Sequence, residues 1–126
     1  MKRLWIGLGI LLFLLALGIG VTMGMKTIHT PICEQLRRAE IAAAEQDWAE
    51  ADALSDAARQ RWQAWHRFTA AFADHVPMDE IDSLFAELAV YARARDKDHF
   101  CAICAQLFQL VRAMAESHSP TWWNLL

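Results

Sequence analysis

Cys101 and Cys104, spaced Cys-Ala-Ile-Cys, are the pair with the clearest chemical meaning in this chain. Thiols three positions apart on a helix share a face and can chelate a metal or close a disulfide. Cys33 with one of His29, His99 or His118 would complete four zinc ligands, although only the one pair has the strong spacing. The setting argues against redox chemistry. A redox pair normally opens a helix that follows a strand, and no strand pattern precedes Cys101; Ala105, not histidine, follows Cys104, which excludes c-type haem attachment. The competing reading makes Cys104 a small buried hydrophobe on an apolar face, with Cys101 at its margin. With three thiols in all, a bond from Cys33 to either later cysteine stays open.

Other candidate chemistry is thinner. Asp79, Glu80 and Asp82 form a carboxylate cluster, but acids in a first helical turn ordinarily compensate the helix dipole, and no acceptors at metal-loop spacing follow. His66 and His75, nine residues apart, are too distant for a helical ligand pair and read as solvent-facing or capping. No serine, histidine and aspartate ordering with an elbow motif supports acyl transfer. Residues 27–126 net minus six with histidine neutral, which disfavours nucleic acid as a partner. The residues point to no catalytic group and no cofactor.

The elements that must position these residues are unevenly built. All five glycines fall within the first 24 residues, while 21 of the 22 alanines lie after residue 26. That split rules out a phosphate-cradling glycine loop in the second part, and the 56% apolar content rules out a disordered chain. Leu4 to Met25 is a run of 22 uncharged residues, about 33 Å as a helix, enough to span a bilayer core. Its length and the lack of a small-x-small cleavage site favour an uncleaved signal-anchor over residues 1–26. Lys2 and Arg3 nearly balance Lys26, Arg37 and Arg38 across it; the expected orientation is N-terminus cytoplasmic, domain extracytoplasmic. Ala16, Gly20 and Gly24 form a small-xxx-small stripe on which a second membrane helix could pack.

Residues 27–126 read as one extracytoplasmic helical domain. Thr30-Pro31 is an N-cap before an N1 proline and predicts a helix over 31–46, with Ile32, Leu36, Ala39 and Ala43 on one face. Asp47-Trp48-Ala49-Glu50 resembles a capping box and opens a helix over 48–74. Its seam runs Trp48, Ala51, Ser55, Ala58, Trp62, Trp65, Thr69 and Phe72. Pro77 ends that helix, and Asp79 starts the next over 79–95, with Ile81, Leu84, Phe85, Leu88, Tyr91 and Ala92 inward. A turn at Asp96-Lys97-Asp98 leads to 98–117, with Phe100, Ile103, Cys104, Leu107, Leu110, Val111 and Met114 inward. The expected fold is all-α: a single transmembrane helix followed by an antiparallel four-helix bundle, with Pro31, Pro77 and Pro120 as its main breaks. The tail 118–126 carries Trp122, Trp123, Leu125 and Leu126, apolar enough to dock on the bundle, the membrane interface or a partner.

In these features the chain resembles a bacterial membrane-anchored family catalogued as domain of unknown function 4363. The resemblance covers essentially the full length. It rests on the basic start and apolar helix, the Asp47 to Ala51 opening, Trp62, His75 before the Asp79 to Ile81 restart, the Arg95 to Asp98 turn and the terminal Asn124-Leu125-Leu126. It implies an extracytoplasmic helical domain with no assigned activity or catalytic residues, and Cys101 and Cys104 lie outside the family pattern.

The functional expectation is therefore a non-enzymatic interaction or scaffold module of the bacterial envelope. Its partners would be the lipid bilayer and either another envelope membrane protein or a second copy of itself. The alternative is a thiol-redox or metal-binding protein using Cys101 and Cys104, with Cys33 and His99 as further candidate ligands.

Overall fold

The structure, a computed structural model, describes residues 1–69 and 75–117. Its elements are α1 (Lys2–Ala44), α2 (Trp48–Thr69), α3 (His75–Ala94) and α4 (Lys97–Ser117). Each helix packs on the next, and α4 returns to α1, closing a ring. Two pairs of contacts give the direction of α4. Cys33 reaches the Phe108 carbonyl and Cys101 the Glu40 carbonyl, so positions rise along α1 as they fall along α4. His29 on Trp65 and Arg38 on Glu50 give the same antiparallel register to α1 and α2.

The expected break before Pro31 is absent: α1 runs unbroken through it. Proline in a helix interior costs about 3 kcal/mol, because it removes one hydrogen bond and crowds the preceding turn. Here the N–H it lacks is the one that the Thr27 carbonyl would accept. Packing of the second half of α1 against α2 and α4 holds the helix through that point, as Ile32, Leu36, Ala39, Ala42 and Ala43 are all buried. The first half is bare. Arg3–Gly20 is long and apolar enough to cross a membrane, with mean hydropathy 2.1 and none of the span buried.

Pro77 does not act as a break either. The third helix begins at His75, four residues earlier than the acids predict, and Pro77 sits in its first turn. There the missing N–H has no intrahelical partner to lose. Pro120 and the second helix's expected extension over 70–74 lie outside the described residues.

The described breaks are instead left-handed caps on residues that are not glycine, Gln46 at φ 63° and Arg95 at φ 56°. After each helix the chain closes with the paired bonds of a Schellman turn. Gln46 and Asp47 donate to Ala43 and Ala42; Arg95 and Asp96 donate to Ala92 and Tyr91. Left-handed backbone costs such residues about 1–2 kcal/mol, and local contacts offset it. The Arg95 guanidinium lies over the Trp48 ring at 5.6 Å, and Trp48 meets Phe100 edge-on at 5.5 Å, tying both turns to one end of the bundle.

Both following helices are capped by an aspartate: Asp47, as the sequence predicts, and Asp96, which the sequence placed in a turn, so that α4 starts at Lys97 and not Asp98. Asp47 accepts from the Glu50 N–H at 3.2 Å, and Asp96 from the His99 N–H at 3.3 Å. The capping box is only half formed, because the Glu50 carboxylate bonds Arg38 on α1 at 3.1 Å. The core follows the expected faces. Trp62, Ile81, Leu88, Phe100, Leu107 and Val111 are fully buried, joined by Met78 at the start of α3. Thr69 and Phe72, the last members of the α2 seam, lie where side chains are not described.

Candidate functional site

Among the described residues, a polar constellation lies between α2 and α3. Trp62 and His66, four residues apart, present neighbouring rings on one face of α2, with centroids 6.1 Å apart. Asp82 on α3 receives both. The Trp62 Nε1–H donates to its Oδ1 at 2.7 Å, and His66 Nδ1 lies 2.9 Å from its Oδ2. An ionised carboxylate only accepts, so these bonds place a proton on His66 Nδ1. The indole is wholly buried, and the outer end of the network opens into a cleft of about 400 Å³. Arg59, Gln63, Arg67, Phe85 and Ala86 complete its walls.

The carboxylate orients the imidazole and satisfies the one polar atom of a core indole. An oriented histidine is one part of a base-catalysed site, but no hydroxyl or thiol lines the cleft among the described residues. The network continues inward as aromatic packing. Trp62 meets Trp65 at 5.2 Å, and Trp65 meets His29 of α1 edge-on at 4.8 Å. The line from Asp82 to His29 thus joins three helices. Sequence reasoning read His66 as solvent-facing or capping and Asp82 as one of the dipole-compensating acids. The Trp62 to His66 spacing was a usable signal for their shared face; the partner across the bundle had none.

The thiols are arranged differently. Cys33, Cys101 and Cys104 are free. Cys101 sits against the Glu40 carbonyl and Cys33 against that of Phe108, seven residues apart on each helix, or about 10 Å along the α1–α4 seam. Cys104 is in the core, and burial, helped by Cys101 and Glu40, pushes its thiol far above the usual range. Burial also raises Cys101, with Glu40 and Asp98 adding to the shift against Lys97. Burial raises Cys33 too, with Arg112 opposing. Thiolate is the reactive and ligating form, so all three are shifted away from it.

His99 is engaged elsewhere. Its Nδ1 lies 2.8 Å from Asp96 Oδ2, and its ring stacks on Tyr91 at 5.0 Å. The His99 backbone N–H, with the His99 side chain, holds the Asp96 carboxyl below its usual value. Among the described residues, no group of three or more histidine, cysteine or acidic side chains could hold a metal ion. A thiol probe such as a maleimide is expected to leave Cys104 unmodified in the native protein and to label it fully in denaturant. Rapid native labelling of Cys104 would contradict its placement in the core.

The membrane-helix stripe faces open space: a Cβ built on Gly20 or Gly24 meets no atom within 4 Å. Trp122, Trp123, Leu125, Leu126 and His118 lie outside the described residues.

These observations define a class, an all-α protein whose four helices form one antiparallel ring and whose first helix extends beyond it as a bare apolar rod. Residues 21–125 match the family described as domain of unknown function (DUF4363), and the chain belongs to that family. The match leaves out residues 1–20, and with them the basic start and most of the apolar run that the resemblance included. The chain matches no curated protein and no solved structure.

Proposed function

We propose that the protein is a membrane-anchored, non-enzymatic helical interaction module of the bacterial envelope, with its N-terminus cytoplasmic and its bundle extracytoplasmic. The observation that carries this reading is the division of α1: one unbroken helix whose first half is apolar and bare and whose second half is a wall of the bundle. A rod of that kind couples whatever the membrane half contacts to the helix ring without a flexible joint. Ala16, Gly20 and Gly24 supply a face on which a second membrane helix, from another envelope protein or from a second copy, can approach closely. The alternative built on Cys101 and Cys104 is less well supported, because its thiols are shifted away from the thiolate and His99 is held by Asp96.

Chemical crosslinking of the full chain in native membranes tests the proposal. Recovery in a defined complex is expected, and the double substitution Gly20→Leu with Gly24→Leu should lower its yield several-fold. Recovery only as a monomer would overturn the interaction role. An undiminished yield from the double variant would remove the stripe as the contact face.

A further inference from the structure

A second groove, of about 450 Å³, lies between α1 and α2 at the end of the bundle nearest the apolar rod. Thr27 and Ile28 form one wall, and Arg61, Ala64, Trp65 and Phe68 the other. Phe68 stands out, since it lies off the α2 seam and is 81% exposed while the seam from Ala51 to Trp65 turns inward. Leaving a phenyl ring in water forgoes about 1.5–3 kcal/mol of burial.

The unbroken course of α1 sets where this groove stands. Thr27 and Ile28 follow Met25 without a linker, so Ile28 lies only about 4.5 Å along the helix from the end of the apolar run. The headgroup region on each side of a bilayer core is about 5–7 Å deep. The register of α2 carries Phe68 lower still. Trp65 meets His29, and Phe68 is three residues further along an antiparallel helix, about 4.5 Å nearer the rod. That brings its ring to the boundary between hydrocarbon and headgroups, where aromatic rings are enriched. Arg61, one heptad back along α2, lines the same groove. By the same register it stands about 12 Å beyond Met25, above the headgroup layer, and its long apolar stem lets the terminal cation reach down to the phosphates.

Resting on the membrane-anchor reading above, the geometry points to a lipid-binding edge. The lower end of the α1–α2 groove is seated in the headgroup layer of the bilayer that α1 spans, with Phe68 inserted at its inner boundary and Arg61 reaching phospholipid phosphate from above. The bundle would then stand on the membrane surface, held at a fixed height and facing by two points, α1 and Phe68.

Photocrosslinking tests this on the full chain in phospholipid vesicles. A p-benzoylphenylalanine replaces Phe13 in the rod, Phe68 at the groove or Ile41 at the far part of α1, one at a time, and adducts are identified by mass spectrometry. Phe13 and Ile41 are exposed, and Ile41 lies about 24 Å beyond Met25 along the helix. Phospholipid adducts are expected at Phe13 and Phe68, several-fold above the yield at Ile41. Lipid adducts at Phe13 with none at Phe68 would overturn the groove assignment and leave the anchor standing; none at Phe13 would overturn both. A Phe68 adduct to residues 118–126 or to a second copy would show that protein covers the groove, and would also overturn the assignment. Equal lipid labelling at Ile41 would mean a bundle lying flat on the membrane, against the upright placement.

Discussion

With Leu11 and Leu15 both replaced by arginine, the protein is expected to leave the membrane fraction and appear as a folded soluble bundle. Both residues are exposed on the rod and touch no core residue, so the substitutions leave the helix ring intact. They lie close to the middle of the Leu4 to Met25 run, where each arginine costs about 2.5–3.5 kcal/mol on insertion scales. Together with two lost leucines, the penalty comes to about 7 kcal/mol, on the order of a hundred-thousand-fold shift in partitioning. Alkaline extraction of membranes, followed by immunoblotting, reads the change. Circular dichroism of the soluble fraction should still show helix. Unchanged retention in the extracted membrane would mean that the rod is not what holds the protein there.

The second large effect is expected at Trp62. Replacing it with alanine removes the largest fully buried side chain among the described residues and one of the two groups that meet Asp82. Core tryptophan truncations cost about 3–5 kcal/mol, because the cavity relaxes only partly. Domains of this size have about 5–15 kcal/mol in all, so the variant sits near the threshold for folding. In urea, with a slope of about 2 kcal/mol per molar, the midpoint should fall by about 2 M. Trp62→Phe separates the two contributions. It keeps most of the ring packing and loses the N–H; since Asp82 retains His66 and is half open to water, losing that bond should cost only about 1 kcal/mol. A loss well under 1 kcal/mol for Trp62→Ala would place the indole outside the core.

Much of the architecture was legible in the order of residues, because helix periodicity is a local property. The apolar positions of α2 from Ala51 to Trp65, of α3 from Ile81 to Ala92 and of α4 from Phe100 to Met114 turned inward as their spacing predicts, with Tyr91, Ile103 and Leu110 half-buried at the margin. The cap at Asp47 was legible for the same reason, since a cap and its N–H lie three residues apart; Asp96, read only as part of a turn, caps α4 by the same spacing. Breaks were harder to place. Prolines looked like the punctuation of a chain without glycine, yet Pro31 and Pro77 both lie inside helices. A proline's penalty of a few kcal/mol is one that packing on two sides can outweigh, and in a first turn it vanishes. The left-handed caps at Gln46 and Arg95 left no mark in residue type, because their cost is offset by contacts such as Arg95 on Trp48.

The candidate site shows the same division. Residue order alone determined an apolar rod, four amphipathic helices, and which residues of α2 face one another's turns, Trp62 and His66 among them. The tertiary structure alone decided that Asp82 would meet both, that Cys33 and Cys101 would stand about 10 Å apart, and that Phe68 would sit beside the root of the rod. The physical reason is that spacing along one helix sets which side chains share a face. Which faces meet, and at what height, depends on the register between helices, which the packing of all four sets together.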